Sequence, residues 1–505
     1  MKKILVLLFT SGMIYGQVDY ESQIQTIIDA NCTNSGCHTN GGGYQNGLDL
    51  SSYDSLMAGS NNGAVIVPGD HANSLLWQKV NSGTMPPGNN PDLGAGEINL
   101  IAQWIDEGAL ENPVYAGPLW NVSNSGSDST GDGSADNPFA TIQYGIGAAS
   151  DGDTVVIYEG VYYEEIDAGN RELTIGSLFM FDNNNESIIE NTILDGENSH
   201  RLYNLDNAQV SLIGMTMQNG YAENWGGAII GGSGDLTIRN CRFTENYAGN
   251  SGGVMNLNGD NLIISNSVFY NNSSARASVI NVGNSTNTEI TINASIKESV
   301  FRANTGERRG AINVWGSDTT LINNCEFIEN ISGRYGGGFI VHDTKYLEID
   351  SCIIKDNKSL RGGGGGLNIW SIDGGIISNS IFSGNIVMDT TETDTFRGGG
   401  IHLWADATLT IRNCTITNNT APLAGAIAIK HNSHCTIVNS IIWGNGSTNQ
   451  IGIYDDLFDE DTTSTLNISF SNLQYGIDSI FVDEMSYIDG YDESSMPNSS
   501  PLFCN

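Results

Sequence analysis

Positively charged residues are scarce in this chain of 505 residues. It carries 20 Lys and Arg against 57 Asp and Glu, so its formal net charge is −37. Phosphate backbones are bound by clustered Lys and Arg, and anionic membrane surfaces attract the same residue types. The composition therefore argues against nucleic acid and against an anionic membrane surface as partners.

Long apolar runs and a regular glycine period are also missing. No stretch approaches the roughly 18 apolar residues that a membrane-spanning helix needs, so we expect no transmembrane segment. The 62 glycines follow no three-residue period, which excludes a collagen-like fibre. Apolar residues nevertheless make up 39% of the chain, enough to form a large core, so disorder over the whole length is not expected.

The first residues predict export from the cytoplasm. Lys2 and Lys3 are followed by an apolar run over residues 4–9 and by small residues ending at Gly16. A positively charged start, a short apolar stretch and small residues before the cleavage site are typical of a signal peptide, here residues 1–17. We therefore expect the mature protein in the periplasm, at the cell surface or outside the cell, where disulfides and covalent haem attachment are both possible.

Residues 18–112 are expected to form a small helical domain. Ile24, Ile27 and Ile28 lie at i, i+3 and i+4 and lead directly into the sequence Cys-Thr-Asn-Ser-Gly-Cys-His at 32–38. A loop containing Met85-Pro-Pro follows, and the segment EINLIAQWIDEGA then places a second set of apolar residues on one helical face. These are Ile98, Ile101, Trp104 and Ile105. The predicted order is helix, Cys/His motif, Met loop, helix.

This order resembles a class I c-type cytochrome domain. It is most similar to the small haem domains of large exported proteins of environmental bacteria, which share the phrases GLDLSSY, VPGD, SLLW, MPPG and WIDEGA. The resemblance implies that Cys32 and Cys37 bind haem c through thioethers and that His38 is the proximal iron ligand. It implies Met85 as the distal ligand, with His71 as the rival. The spacing departs from the usual C-x-x-C-H, because four residues separate the two cysteines.

Two other interpretations of the Cys/His motif stay open. In an exported chain Cys32 and Cys37 can form a simple disulfide, which leaves His38 as a loop residue. Zinc is less attractive, because two Cys and one His leave one ligand missing and no second Cys/His pair stands nearby.

The remainder of the chain repeats itself. The segments LTIRNCRFTEN (236–246), LIISNSVFYNN (262–272), TLINNCEFIEN (320–330) and LTIRNCTITNN (409–419) are echoes of one pattern, and the Cys or Ser in it recurs at intervals of 26–34 residues. Short strands separated by Gly and Asn turns at this period predict a parallel β-solenoid over 188–475. Residues 113–187 are interpreted as linker and N-terminal cap, and 476–505 as a C-terminal segment, with truncation as one interpretation of its end.

The repeats resemble the right-handed parallel β-helix superfamily, which pectate lyases and polymorphic outer-membrane adhesins share. The F-x-x-N echoes are closest to the adhesin type. The resemblance implies a fold and hardly restricts the function. The expected fold class is therefore multidomain: a small all-α cytochrome c-like domain followed by an all-β right-handed parallel β-helix.

Two repeat positions have a structural interpretation. One is shared by Cys and Ser, which predicts small inward-facing residues rather than catalysts; it comprises Cys241, Ser267, Ser299, Cys325, Cys352, Ser380, Cys414 and Ser440. Cys435 and Cys504 lie outside it. The other carries asparagines predicted at turns, where their side chains bond backbone groups and tolerate left-handed geometry.

A column of aromatic residues is the candidate ligand site of the solenoid. Trp315, His342, Trp370 and Trp404 are expected to point outward from successive coils, with Asn313, Asn368 and His402 beside them. Exposed aromatic rings bind sugar faces while amides and imidazoles bind hydroxyls, so a polysaccharide is a possible partner. The alternative is that side loops cover the rings and that their stacking only stabilises the coils.

Signals for catalysis are weaker. Arg308, Arg309, Arg334, Arg361 and Arg397 recur before glycines, yet no carboxylate cluster accompanies them in register, and no outward acid pair marks a hydrolase. The acidic loop Asp455, Asp456, Asp459, Glu460 and Asp461 is a candidate for Ca²⁺ without the spacing of a defined calcium loop.

The expected function is an exported haem c electron carrier with an unidentified redox partner and a β-helix that presents a surface or ligand. The alternatives are a carbohydrate-binding or polysaccharide-degrading β-helix with an accessory haem domain, and a structural adhesin without haem.

Overall fold

The structure is a computed structural model that describes residues 18, 20–33, 38–39, 46–86, 93–106, 108–110, 118–182, 185–232, 234–258, 261–276, 279–283, 293–388, 398–446, 449–455 and 463–492. The expected signal peptide therefore lies outside the described residues. The chain divides into two compact units, Met1–Gly117 and Pro118–Asn505. Among the described residues, no helix has the length and apolar character needed to cross a bilayer.

The first unit contains the two expected helices. The first begins as a wide π-type segment, Tyr20–Gln25, continues through an α-helical turn, Thr26–Ile28, and ends with a second π-type segment, Asp29–Thr33. Its isoleucines are buried as predicted. The last helix, Ala95–Asp106, buries Ile101, Trp104 and Ile105. Both apolar faces belong to one small core, so the sequence periodicity located the elements that enclose it.

Two short helices between them were missed. Tyr53–Ala58 begins at Ser52, whose hydroxyl accepts the backbone N–H of Ser55, and Leu75–Asn81 begins after the single turn His71–Asn73. Each spans at most two turns and lies among Gly, Asn and Pro, so periodicity alone gives little signal.

The second unit is the expected solenoid of parallel strands. Its strands form three sheets. A complete coil contains four short strands, for example Ile229–Gly231, Leu236–Arg239, Arg242–Thr244 and Tyr247–Ala248. The first two lie in the largest sheet, the third in a second sheet and the fourth in the smallest sheet. Each strand pairs in parallel with its equivalent in the next coil, as when Phe243 pairs with Phe269 and Phe269 with Phe301.

The strand bounds follow the repeat. The smallest sheet contains Tyr221–Ala222, Tyr247–Ala248, Ser273–Ser274, Thr305–Gly306, Ile331–Ser332, Lys358–Ser359 and Ile386–Val387. The second sheet contains Gly160–Tyr162, Thr192–Asp195, Thr216–Gln218, Arg242–Thr244, Val268–Tyr270, Val300–Arg302, Glu326–Ile328, Ile353–Lys355, Ile381–Ser383, Thr415–Thr417, Ile441–Trp443 and Asn472–Leu473. The largest sheet contains Leu119–Val122, Thr154–Ile157, Ile166–Asp167, Glu172–Ser177, Tyr203–Asn204, Gln209–Ile213, Ile229–Gly231, Leu236–Arg239, Met255–Leu257, Asn261–Ser265, Ile280–Gly283, Asn293–Lys297, Ile312–Trp315, Thr319–Asn323, Phe339–Asp350, Leu367–Ser378, Ile401–Trp404, Thr408–Arg412, Ala424–Lys430, His434–Val438, Asn449–Tyr454, Thr465–Ser469, Ile480–Val482 and Tyr487–Tyr491.

Few helical segments interrupt the solenoid in its described part. The helix Ile142–Ala148 packs against Leu119–Val122 and Thr154–Ile157, the first strands of the largest sheet. The others are the helix Glu186–Asn191 and the single turns Leu178–Met180 and Gly476–Ser479.

One apolar core runs through the coils. Inward-facing rings stack along it: the centroids of Phe243, Phe269, Phe301 and Phe327 follow one another at 4.7–4.9 Å. This distance equals the spacing of neighbouring strands, so each coil places its ring directly on the ring of the next. A single coil has no second layer to cover its apolar face, and stacking supplies that layer.

The Cys/Ser position is confirmed as a buried column. Cys241, Cys325, Cys352 and Cys414 are buried thiols without a disulfide. The backbone N–H of Cys241 donates to the Ser267 hydroxyl at 3.2 Å, which is the repeating contact. Burial raises the pKa of Cys241 to about 12, so this thiol is unreactive at neutral pH. Cys435 is also buried, on a core strand, and Cys504 lies outside the described residues.

The asparagine prediction is confirmed in one part and wrong in another. The side chains do bond backbone groups, here of the preceding coil, as when Asn304 Nδ2 donates to the carbonyl of Phe269 on the strand Val268–Tyr270 at 2.9 Å. The left-handed conformation, however, belongs to the residue before each of them, such as Ala303 and Glu329. The preceding residue reverses the chain, which aims the asparagine into the coil instead of outward.

Candidate functional site

His38 is held in an orientation suited to an iron ligand. Its backbone N–H donates to the Cys32 carbonyl at 3.2 Å, and its own carbonyl accepts the N–H of Leu50 at 2.8 Å. The ring is half-buried, with Nδ1 3.4 Å from the Leu48 carbonyl oxygen. A carbonyl facing Nδ1 favours the tautomer with the proton there and leaves the Nε2 lone pair for a metal, the usual arrangement of metal-binding histidines.

The expected thiols are only partly described. Cys32 lies at the end of the first helix and packs, half-buried, against the apolar core of the first unit. Cys37 lies outside the described residues. The structure therefore describes one of the two expected thioether donors, Cys32, whose carbonyl accepts the backbone N–H of His38, and it leaves the pairing of the two cysteines open.

The two candidates for the distal ligand have different surroundings. Met85 follows the helix Leu75–Asn81, is half-buried, and its N–H donates to the Lys79 carbonyl at 3.2 Å. His71 Nδ1 lies 2.7 Å from the Asp106 carboxylate, and its backbone N–H donates to the same group at 3.0 Å. The ring of His71 also contacts that of Trp77 edge-on. His71 thus already has partners within the protein.

The donors present fit a covalently bound haem. Thiols would attach the macrocycle of a c-type haem through thioether bonds, and an oriented imidazole and a methionine thioether are side chains that would bind its iron. The buried indole N–H of Trp77 has no acceptor among the described residues, so one donor is available for a polar group that these residues do not supply. The iron of a bound haem would take the nitrogen and sulfur ligands. The carboxylate oxygens of its propionate groups could accept a hydrogen bond from such an N–H.

On the solenoid, the aromatic column has the expected register. Trp315 pairs with His342, His342 with Trp370, and Trp370 with Trp404, each on successive strands. Trp370 is 38% exposed, whereas His342 is 4% exposed. The column is therefore partly open to solvent at its tryptophans and closed at its histidine.

The rings of the column stack mainly on one another. The centroids of Trp315 and His342 are 4.4 Å apart, and those of Trp370 and Trp404 are 4.6 Å apart with planes tilted by 21°. Stacking along the solenoid axis covers ring faces and directs ring edges to solvent. Sugar rings stack on faces, so this geometry leaves a ligand less aromatic surface than four independent rings would.

The expectation that the flanking amides point into solvent is wrong. Asn313 and Asn368 are fully buried and His402 is 5% exposed. Asn313 donates to Asn281 Oδ1 at 2.6 Å, and Asn368 Nδ2 lies 2.9 Å from His402 Nδ1. For His402 the physical reason is the glycine-rich turn 362–366, because a Cβ at Gly363 would lie 2.0 Å from His402 Nδ1. At Gly363 a backbone without a side chain therefore lies directly against the imidazole.

His342 belongs to the same buried network. Its Nε2 lies 3.0 Å from Asn313 Oδ1 and its Nδ1 lies 3.3 Å from the Asp343 carboxylate. Burial lowers the pKa of His342, with a further contribution from Arg309, while Asp343 opposes the shift. At neutral pH the ring is therefore uncharged and serves as a structural hydrogen-bonding group.

Sequence reasoning missed the contribution of Arg309 to this region. Its guanidinium lies 5.6 Å from the centroid of the Trp315 ring, within the range of a cation–π contact. The available signal was the recurrence of arginines before glycines, which we considered above only as a signal for catalysis.

The expected calcium loop has no support. Asp455 is buried, and its Oδ1 accepts the N–H of Asn432 at 2.9 Å and the Ser464 hydroxyl at 3.0 Å. The other four acids of the loop lie outside the described residues. Across the described ranges, no group of three or more His, Cys, Asp and Glu side chains is placed to hold a metal ion.

Comparison with solved structures identifies similar chains of low identity. A rhamnogalacturonan lyase is 12% identical over 70% of this chain and 87% of its own, with a TM-score of 0.31. XylC in complex with xylose is 9% identical over 74% and 86%, with a TM-score of 0.34. A periplasmic alginate epimerase is 11% identical over 66% and 78%, with a TM-score of 0.30. These values carry no information about function. No curated protein sequence matches this chain significantly.

Two protein families match parts of the chain. Residues 35–89 match the sequence model described as Planctomycete cytochrome C, a segment that contains Cys37, His38, His71 and Met85 and begins after Cys32. Residues 226–392 match the model described as a right-handed β-helix region. The chain therefore combines a cytochrome c-like domain with a right-handed parallel β-helix.

Proposed function

We propose that this protein is exported and transfers single electrons through a haem c bound in its first unit. The observation that carries the proposal is the placement of His38, whose Nδ1 faces the Leu48 carbonyl within a segment that matches a cytochrome family. A histidine at the end of a Cys/His motif needs no such orientation if the cysteines form only a disulfide. Export rests on residues 1–17, and the β-helix would present a surface to a partner or ligand.

The roles of the residues follow from their chemistry. Cys32 and Cys37 would hold the macrocycle covalently, which keeps it attached in an exported protein. His38 would bind the iron through Nε2, because Nδ1 faces a carbonyl. Bound haem supplies a metal that alternates between Fe(II) and Fe(III).

Met85 is the better candidate for the distal position. The Asp106 carboxylate holds His71 at Nδ1 and at its backbone N–H, and Trp77 lies against its ring. Met85 is half-buried, and its thioether needs no proton to be displaced before it binds a metal. A thioether ligand also favours the higher potentials of electron carriers.

The test is the intact mass and visible spectrum of the full chain exported from cells with a haem-attachment system. We expect the mass of one covalent haem and a reduced-minus-oxidised spectrum of the c type. Cys32→Ser combined with Cys37→Ser should abolish both, while the buried-thiol control Cys435→Ser should keep them. A colourless protein, or one whose first two cysteines are crosslinked to each other, would refute the proposal.

A second comparison separates the distal candidates. In Met85→Ala the sulfur-to-iron absorption band near the red end of the oxidised spectrum should disappear, whereas His71→Ala should retain it. The opposite pattern would assign the distal position to His71 and leave electron transfer intact as a function.

Polysaccharide binding by the β-helix is the second candidate function. The observation in its favour is the exposure of Trp370 within a column of four aromatic residues. Trp370→Ala should weaken retention on insoluble polysaccharides, and the matched control is Trp225→Ala, since Trp225 is exposed at 47% and lies outside the column. Equal retention of both variants and the unaltered protein would remove this candidate.

A further inference from the structure

A pocket of about 470 Å³ opens on the β-helix where the chain turns towards the largest sheet. It is lined by Asn250, Arg276, Glu307, Arg308 and Arg309. These residues come from three successive coils, and the backbone N–H of Arg276 donates to the Asn250 carbonyl at 3.0 Å. Stacking of the coils thus concentrates side chains that lie far apart in the sequence.

The charge of this pocket is opposite to that of the chain. Three guanidinium groups line it together with one carboxylate, although acids outnumber bases by 57 to 20 in the whole sequence. Two arginines outside the pocket form ion pairs: Arg242 pairs with Glu186 and Glu190, and Arg302 with Glu329. In the described part of the chain, no carboxylate lies within ion-pair distance of Arg276, Arg308 or Arg309.

The position of one of these arginines is fixed by packing. Arg309 is half-buried and its guanidinium lies over the Trp315 ring at 5.6 Å. Burial lowers the pKa of Arg309, the adjacent Arg308 lowers it further, and Tyr335 opposes the shift. Arg276 and Arg308 are exposed, so a ligand in solution can reach both guanidinium groups.

We propose that this pocket binds a hydroxylated organic oxyanion, that is, a carboxylate or phosphate carried by a small polyol or sugar. Guanidinium groups bind such oxyanions through paired N–H donors and keep their charge at every physiological pH. Glu307 accepts hydrogen bonds from hydroxyls, and the Asn250 amide both donates and accepts. Glu307 is exposed, so water can solvate it, but a bare anion beside it would face a like charge. A hydroxyl on the same ligand can donate to Glu307 and offset that repulsion, which favours an organic anion.

The proposal is independent of haem and of the aromatic column. None of the pocket residues lies in the first unit, and only Arg309 touches a ring of the column, Trp315. The loss of glycan retention in Trp370→Ala and the loss of anion binding in an arginine variant are therefore separable results.

Calorimetric titration of the full exported chain tests the proposal. The probes are D-galacturonate and glucose 1-phosphate, with glucose, acetate and inorganic phosphate as comparison ligands. At least one sugar anion should bind saturably and about tenfold tighter than acetate or inorganic phosphate, with no binding of glucose, and sodium chloride should weaken the binding.

The variants assign the binding to this pocket. Arg276→Gln combined with Arg308→Gln should lower the affinity about tenfold or more, since it removes two of the three charged donors. The matched control is Arg334→Gln, which removes a charge from the next coil, where Arg334 contacts Tyr335 outside the pocket. Unchanged far-ultraviolet circular dichroism shows that each variant is folded.

Three results would overturn the proposal. The first is the absence of saturable binding by either sugar anion. The second is binding of inorganic phosphate or acetate as tight as that of the sugar anions, which would leave the hydroxyls without a role. The third is an equal loss in the control variant Arg334→Gln, which would assign the effect to net charge.

Discussion

At the scale of single residues, the coil asparagines show how one side chain satisfies several buried groups. Asn304 Oδ1 accepts the backbone N–H of Asn272 at 3.1 Å and its side-chain amide at 3.1 Å, while its own Nδ2 donates to Asn330 at 3.0 Å. The ladder ends at Gln450, whose Oε1 accepts the Asn445 amide at 2.9 Å. An unpaired polar group in such a place is costly, so the ladder fixes the stacking of the turns.

Replacing one asparagine of this ladder should therefore lower the stability of the β-helix substantially. Asn304→Ala leaves buried donors of Asn272 without acceptors, and we expect the free energy of unfolding to fall by about 2–4 kcal/mol. Urea denaturation of the β-helix measures this. The comparison variant Asn261→Ala loses two side-chain hydrogen bonds, one donated to Asp235 and one accepted from Asn293. Its site is half-buried, so water can replace both bonds and the variant should cost less than Asn304→Ala. If both variants lose the same free energy of unfolding, the buried ladder contributes no more to stability than hydrogen bonds at a half-buried site.

The buried ring of His342 leads us to expect that the stability of the β-helix depends on pH. Burial lowers its pKa in the folded protein, so the unfolded chain takes up the proton first as the pH falls below about 6.5. Stability should therefore decline from pH 8 to pH 5, and His342→Gln should show a smaller decline because it does not titrate. Asp343, whose pKa is lowered by its hydrogen bond with His342, contributes only at lower pH, below about 4.

Denaturation midpoints of both proteins at several pH values give the comparison. A difference between the two that stays constant from pH 8 to pH 5 would contradict the assignment of this titration to His342. A difference that grows only below pH 4.5 would indicate the carboxylate instead.

At the scale of the element, glycine decides how closely the turns approach one another. A Cβ at Gly365 would lie 2.3 Å from the Gly399 carbonyl oxygen and 2.6 Å from the Ile386 nitrogen, both backbone atoms of the following coil. At Gly374, on the strand Leu367–Ser378, nothing lies within 4 Å of the same position. The first glycine is required by packing, and the second is not.

These two glycines form a matched pair of variants. Gly365→Ala should destabilise the β-helix by roughly 1–3 kcal/mol or more, because the coils must separate to admit the methyl group. Gly374→Ala should be neutral or slightly stabilising, since alanine has less backbone freedom to lose. Thermal denaturation followed by circular dichroism distinguishes them, and equal midpoints would show that the turn relaxes without cost.

At the scale of the whole molecule, the net charge of −37 opposes compactness while the continuous core supports it. Like charges repel within the folded chain, and salt screens exposed charges over about 10 Å at 0.1 M. We expect the denaturation midpoint to rise as sodium chloride is increased from about 10 mM to about 200 mM. Potassium chloride should act equally, and a flat or falling midpoint would show that the repulsion is negligible.

The opposite salt response distinguishes the arginine pocket from the molecule around it. Screening should weaken anion binding by Arg276, Arg308 and Arg309 over the same range in which it stabilises the fold. This contrast follows from a local positive charge within a negative chain.

The sequence alone determined the repeat, the register and the composition of the core. Phe243, Phe269 and Phe301 recur at the interval of one coil, and each pairs with the next as the interval requires. The helix faces around Ile28 and Trp104 were equally readable, because burial of an apolar stripe imposes a period on the chain. The cytochrome-like segment was identified by residue types at fixed places.

Only the tertiary structure determined which side chains solvent and ligands can reach. Asn368 and His402 lie outward from the core as the strand period requires, yet both are buried, and the turn at Gly363 in the preceding coil lies against His402. The rings of Trp370 and Trp404 stack on each other. Side chains from three coils, three of them arginines, line one pocket. Strand periodicity fixes the side of the sheet on which a residue lies, whereas its exposure depends on segments that meet it only after the coils have stacked.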